Sequence, residues 1–191
     1  MGSGEPLDNY DNVVTFLKRV TSPVGPNISA RNISLSTCGL VPKIYTFIDD
    51  APHVTLSISL HAHSNETRSA LMPVNRAYPI EQVLEAAKTY ADRTGRRVVF
   101  EYALIGGTND SEADAKALAK RLKGILCHVN LIPLNPVKER GLNGVTREHA
   151  HRFQGWLEAE HISATVRREM GADIEGACGQ LRRRVLNEMR G

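Results

Sequence analysis

The sequence predicts an α/β fold, a partial and open parallel β/α barrel, on three observations. Short β-branched or alternating segments recur along the chain, amphipathic segments of helical period separate them, and Gly, Pro, Asn and Asp punctuate the joints. Strands that alternate with helices run parallel, because each helical crossover returns the chain to the same end of the sheet.

Taken in order, Tyr10, Val13, Val14 and Leu17 recur at helical spacing, and the Pro/Gly-rich "TSPVGPN" ends that helix. "NISLS" alternates and is β-branched enough for a first strand. A helix from about Pro42 to Asp49 leads to "HVTLSISLH", a second strand in which Val54, Leu56, Ile58 and Leu60 alternate with smaller polar residues. After a long loop, Ile80, Val83, Leu84 and Ala87 mark an amphipathic helix that Gly95 ends, and "RRVVFEYAL" is the third strand. "GGTNDSEADAKALAKRL" is a glycine turn and then a helix capped by Asp110 or Ser111. "HVNLIPLNP" is the fourth strand, Thr146 caps the helix "REHAHRFQGWLEAEH", and "SATVRRE" is a last short strand. Residues 1–170 are expected to form the partial barrel, and residues 171–191 a carboxyl-terminal segment with a basic tail.

Composition bounds the function classes. A chain of 191 residues with 41% hydrophobic and 24% charged residues has the make-up of a water-soluble globular domain with one core. It has no apolar run of about 18 residues and no basic, apolar leader, so no membrane partner and a cytoplasmic location are expected. Cys38, Cys127 and Cys178 are odd in number and lie far apart, which argues against a disulfide framework or a zinc site. The net charge of +3 equals the excess in the tail, where Arg182, Arg183, Arg184 and Arg190 face Glu188. Arginine's planar fork suits phosphates, and a solvated helix end is the alternative use of such a run.

The ends of the strands carry the candidate chemistry. Ser36, Thr37 and Cys38 follow the first strand, Ser59 and His61 close the second, and Asn135 closes the fourth. In a parallel barrel these carboxyl ends share one face, where ligands bind; taken singly, each residue could instead cap the helix after it. Cys178 sits in "GADIEGACGQL", among Gly and Ala rather than in a periodic apolar element, which leaves its sulfur accessible. The chain opens on the loop-like "GEPL", and its strands are too few to close a barrel of about eight, so an amino-terminal truncation is expected.

In this order and spacing, "GEPLDNYDNV", "ISLSTCGLVP", "LSISLHAHSNETRSALMPVNR", "NLIPLNPV", "TVRRE" and "DIEGACGQL" resemble the RlmN/Cfr family of radical S-adenosylmethionine (SAM) RNA methyltransferases, and RlmN more than Cfr. The resemblance runs from Gly4 to Leu181. It implies SAM and a 4Fe-4S cluster at the carboxyl ends of the strands. By motif, Gly4 and Glu5 resemble the segment that holds the amino group of SAM's methionine part, with a cap of the following helical turn as the structural alternative for Glu5. Ser36, the stretch Ser59, Leu60 and His61, and Asn135 resemble its other polar contacts, His61 through its backbone. Cys178 resembles the cysteine that accepts a methyl group from one SAM and carries it as a sulfur-linked radical onto an adenine carbon, a task that needs first a nucleophile and then a one-carbon carrier.

The implied activity is methylation of C2 of adenine in 23S ribosomal RNA and in transfer RNA, with an electron donor for the cluster as a further partner. A non-catalytic SAM- or RNA-binding remnant and a C8 methyltransferase of the Cfr type are the alternatives. The family's cluster loop C-x-x-x-C-x-x-C has no counterpart in this chain, so no metal ligand is assigned here and the chain resembles the carboxyl-terminal part of the enzyme, inactive by itself. Cys38 and Cys127 are read as structural, and His149, His151 and His161 as helix-surface or packing residues.

Overall fold

The computed structural model describes residues 4–134 and 142–168. A short 3-10 helix, Pro6–Asn9, leads into α1 (Tyr10–Thr21). Then β1 (Ser34–Thr37), α2 (Val41–Asp50), β2 (Thr55–Ser59), α3 (Asn65–Leu71), α4 (Ile80–Thr94) and β3 (Val98–Leu104) follow. The remaining elements are α5 (Glu112–Leu122), β4 (Cys127–Pro133), α6 (Arg147–Ala159) and β5 (Ala164–Val166). Among the described residues no helix is long and apolar enough to cross a membrane.

The strands form one sheet in the order β1-β2-β3-β4-β5, and every pairing is parallel. This is the open, partial α/β barrel expected from the sequence. Side-chain alternation divides the sheet into two unlike faces. Leu35, Leu56, Ile58, Phe100, Tyr102, Leu104, Val129 and Leu131 join one buried cluster with Ile44 and Phe47 of α2, Val83 and Tyr90 of α4, Leu118 of α5 and Phe153 of α6. Stacking of Phe47 on Tyr90 and of Tyr102 on Phe153, with ring centroids 6.5 and 5.6 Å apart, fills the space between sheet and helices. The helices lie here because each crossover must cover an apolar face.

The opposite face is polar. The register places Ser36 beside Ser57, and Ser59, Glu101, Asn130 and Thr165 in one row across four strands. Ser57 donates to Glu101 Oε1 at 3.0 Å and the Asn130 amide to Glu101 Oε2 at 2.8 Å, so the carboxylate is held at the centre of that face.

The loop expected between the second strand and its crossover helix contains α3. Its seven residues show little apolar period; Ser64 caps it by accepting the Thr67 N–H at 3.2 Å, and Arg68 anchors it from inside. The expected last strand, "SATVRRE", narrows to Ala164–Val166, the residues that pair with Val129–Leu131. Residues 171–191, with the basic tail, lie outside the described residues.

Candidate active site at the carboxyl ends of the strands

Gly4, Glu5, Ser36 and Ser59 line one groove of about 840 Å3, together with Thr37, Cys38 and the α1 side chains Val13 and Phe16. The groove follows the outer side of β1 and ends on β2, so two strand ends and the amino-terminal turn meet in it. Glu5 organises this corner. Its Oε1 accepts the Leu7 N–H at 3.0 Å and the Thr37 hydroxyl at 2.7 Å, while Oε2 accepts the Cys38 N–H at 2.7 Å. Glu5 therefore caps the 3-10 turn and ties it to the end of β1 with three donors.

Arg68 grips the same corner from the other side. Its Nη2 donates to the Cys38 carbonyl at 2.8 Å and to the Ser59 carbonyl at 3.2 Å, and Nη1 to Asn75 Oδ1 at 2.9 Å and to the Tyr78 carbonyl at 3.3 Å. The side chain is fully buried, its acceptors are neutral, and burial lowers its pKa from the usual arginine value. The carboxylate of Glu5 and the guanidinium of Arg68 thus hold the main chain of Cys38 between them, one at its N–H and the other at its carbonyl. Gly39 completes the turn at φ +101°, where an added Cβ would lie 3.2 Å from Val83 and 3.3 Å from Arg68.

The end of β2 is fixed as firmly. Leu60 is fully buried, so only its backbone is available, and its N–H donates to the Glu101 carbonyl at 3.0 Å. His61 adopts φ +57°, its N–H donates to the same carbonyl at 3.3 Å, and its own carbonyl accepts from Asn109 Nδ2 at 2.8 Å. The imidazole Nδ1 accepts the Ala103 N–H at 3.0 Å, which leaves the proton of the neutral ring on Nε2. Burial and then the charge of Arg68 push the His61 pKa down to about 4. His61 is therefore neutral at physiological pH, and its Nδ1 is already in use.

Asn109 is itself fully buried and also bonds the Ala103 carbonyl and the Ile105 N–H, at 2.7 and 2.8 Å. Leu60 and His61 are absent from the groove lining among the described residues, whereas Ser36 and Ser59 reach it. Asn135 and Cys178, the other two candidates, lie outside the described residues. The sequence reading missed Arg68, Glu101, Asn109 and Asn130. For Glu101 and Asn130 a signal existed, since each interrupts a strand whose neighbours are apolar.

The groove suits a zwitterionic nucleoside cofactor such as SAM: it offers a carboxylate edge, hydroxyls at Ser36 and Ser59, and apolar surface from α1. The described residues do not suit an iron-sulfur cluster. Cys38 follows the carboxyl end of β1, whereas Cys127 opens the inner strand β4 at its amino end, three strands away. Burial and a hydrogen bond to Glu5 push the Cys38 thiol up to about 12, and burial pushes Cys127 up to about 11. Both stay protonated, and among the described residues no group of His, Cys, Asp and Glu could hold a metal ion. His149 ties α6 to the loop before α5 through the Asp110 carbonyl at 2.8 Å and packs edge-on against Trp156, a packing role.

The chain is 54% identical over 98% of its length to "Probable dual-specificity RNA methyltransferase RlmN" of Thermoanaerobacter sp. (strain X514). Proteins of the same description from Caldanaerobacter subterraneus subsp. tengcongensis and Clostridium perfringens (strain 13 / Type A) are 55% and 54% identical. The chain spans about half the length of these relatives, 55%, 55% and 54%. A radical SAM methyltransferase from Sphaerobacter thermophilus superposes with a TM-score of 0.89 at 47% identity, over 94% of this chain and 53% of that one. A domain of pyruvate-formate lyase-activating enzyme from Bacteroides vulgatus ATCC 8482 shares the fold, with a TM-score of 0.67 at 19% identity over 87% of this chain and 96% of that one. The Radical SAM superfamily matches residues 1–119, which hold β1, β2, β3 and the whole groove. The chain belongs to the radical SAM superfamily.

Proposed function

We propose that this chain is the SAM-contacting and methyl-carrying part of an RlmN-type enzyme, acting in the cytoplasm with an electron donor, that methylates C2 of adenine in 23S ribosomal RNA and in transfer RNA. The observation that carries the reading is the 54% identity over 98% of the chain to RlmN proteins, a span that includes every candidate site residue.

Radical SAM methyltransferases use SAM and a 4Fe-4S cluster, which supply the methyl group and the radical chemistry. The chain's own residues do the rest. Gly4 and Glu5 present main-chain carbonyls and a carboxylate edge to the ammonium of the methionine part, and the hydroxyls of Ser36 and Ser59 serve its carboxylate or ribose. Asn135, which follows β4 in the sequence, adds an amide. Arg68 and Asn109 keep these strand ends in place. Cys178 receives the methyl group on its sulfur and presents it to the extracted adenine, and the glycines beside it let the segment approach the groove. The arginines at 182–184 supply phosphate contacts for the RNA.

The test is Cys178→Ala in an enzyme that carries this chain together with the family's cluster loop. SAM still binds and is still cleaved reductively, but no methyl group reaches protein or RNA. Intact-protein mass spectrometry of the wild type shows one added methyl on the peptide containing "GACGQLR", absent from the variant. An alanine variant that still methylates adenine overturns the reading.

A further inference from the structure

At the carboxyl ends of β4 and β5 a second cavity, of about 510 Å3, is lined by Pro133, Val145, Arg147, Arg167 and Arg168. Two elements deliver its arginines: Arg167 and Arg168 directly follow β5, and Arg147 is the first residue of α6. The backbone there is fixed. The Arg167 N–H donates to the Leu131 carbonyl at 2.8 Å, which carries the pairing with β4 past the end of β5, and Thr146 caps α6 by accepting the His149 N–H at 3.2 Å.

Three guanidiniums around one cavity repel one another, and the positive end of the α6 dipole adds to the repulsion. Among the described residues no carboxylate pairs with any of them, although Arg93 and Arg121 do pair with Asp49 and Glu81. All three side chains are exposed and so available to an external anion.

We propose that Arg147, Arg167 and Arg168 form a phosphodiester-binding site that seats the backbone of the RNA substrate next to the groove. The inference rests on the RNA reading given under Proposed function and assigns that substrate a contact point. Planar forks match phosphate oxygens in pairs, which a cluster of lysines would not do. The cavity lies on the same carboxyl-end face as Ser59, two to three strand spacings away, or roughly 10–14 Å. A nucleotide whose base is drawn to the groove therefore leaves its flanking phosphates over the arginines. Such contacts fix orientation and carry no sequence preference.

The test compares the chain with its triple variant R147Q/R167Q/R168Q, using anisotropy of a fluorescein-labelled RNA stem-loop across a salt series. The slope of log affinity against log salt is expected to flatten by about two units, at roughly 0.7–0.9 for each phosphate no longer neutralised, with affinity reduced at least about tenfold. The melting temperature stays at the wild-type value, because no buried bond is removed. R93Q, which breaks an exposed pair elsewhere, keeps the wild-type slope. S-adenosylhomocysteine titrated in parallel binds both forms alike. If the wild type binds RNA and the triple variant matches it in affinity and slope, the arginine site is overturned while the RNA reading stands. Absence of salt-dependent RNA binding by the wild type overturns both. Loss of S-adenosylhomocysteine binding with RNA binding intact would assign the arginines to the cofactor and overturn the phosphodiester site.

Discussion

Replacing Arg68 with methionine removes the bonds that hold the ends of β1 and β2 to α3 and to the turn before α4. The two shorter contacts, 2.8 Å to the half-buried Cys38 carbonyl and 2.9 Å to the buried Asn75 Oδ1, are charge-assisted, and losing both costs about 3–6 kcal/mol. The longer contacts to Ser59 and Tyr78, at 3.2 and 3.3 Å, add less. Against this, the variant no longer buries a cation among neutral acceptors, which returns part of the loss. The bonds win, because the guanidinium is fully buried and its bond to Asn75 lies in the interior, and the net destabilisation is about 3 kcal/mol. For a domain of this size that lowers Tm by roughly 6–12 °C, read by circular dichroism or calorimetry. Arg68→Lys keeps the charge without the fork and falls between the two. A methionine variant that melts at or above the wild-type temperature would refute the reasoning, since desolvation of the guanidinium would then outweigh everything it holds.

Three further outcomes concern His61, Gly39 and the cysteines Cys38 and Cys127. The His61 pKa is depressed when folded, so the folded state binds fewer protons than the unfolded one; its contribution is complete above about pH 6.5 and is lost as pH falls towards about 4, by up to about 3 kcal/mol. His61→Asn, which tolerates the positive φ, flattens urea-measured stability in that window, and an unchanged slope assigns the acid loss to other groups. Gly39→Ala destabilises by about 1–3 kcal/mol, because the left-handed backbone and the close approach of Val83 and Arg68 both oppose a Cβ; a midpoint in urea equal to wild type contradicts this. Iodoacetamide near neutral pH alkylates Cys38 and Cys127 hundreds-fold or more slowly than a free thiol, because little thiolate is present, and peptide mapping over time checks it.

The strands were legible because buried parallel strands must be apolar and β-branched on at least one face, as "VVFEYAL" is. The helix starts at Ser111 and Thr146 were legible because their side chains cap their own helices within three residues. Ser36 and Ser59 stood out as polar residues at strand ends, and they share the groove. Glu5 has the sequence context of a cap as well as of a cofactor contact, and its bond to Leu7 is the cap. What the sequence hid depends on partners brought together by folding. Asn130 meets Glu101 across 29 residues, and Asn109 meets His61 across 48. Arg68 carries no local signal, since nothing within its own turn announces that the Cys38 and Ser59 carbonyls, 30 and 9 residues back, converge on it.

Each strand of this sheet lies beside its neighbours in sequence, in the order β1-β2-β3-β4-β5 without insertion. Cohesion is therefore distributed along a row of adjacent links, β1 to β2 through β4 to β5, and among the described residues no strand threads between two others. A row of this kind can be lengthened or shortened at its edges one strand-helix unit at a time, leaving the inner links in register. Such an architecture lends itself to modular growth: new units can join at either edge while the clasps at Arg68 and Asn109 hold the interior geometry constant.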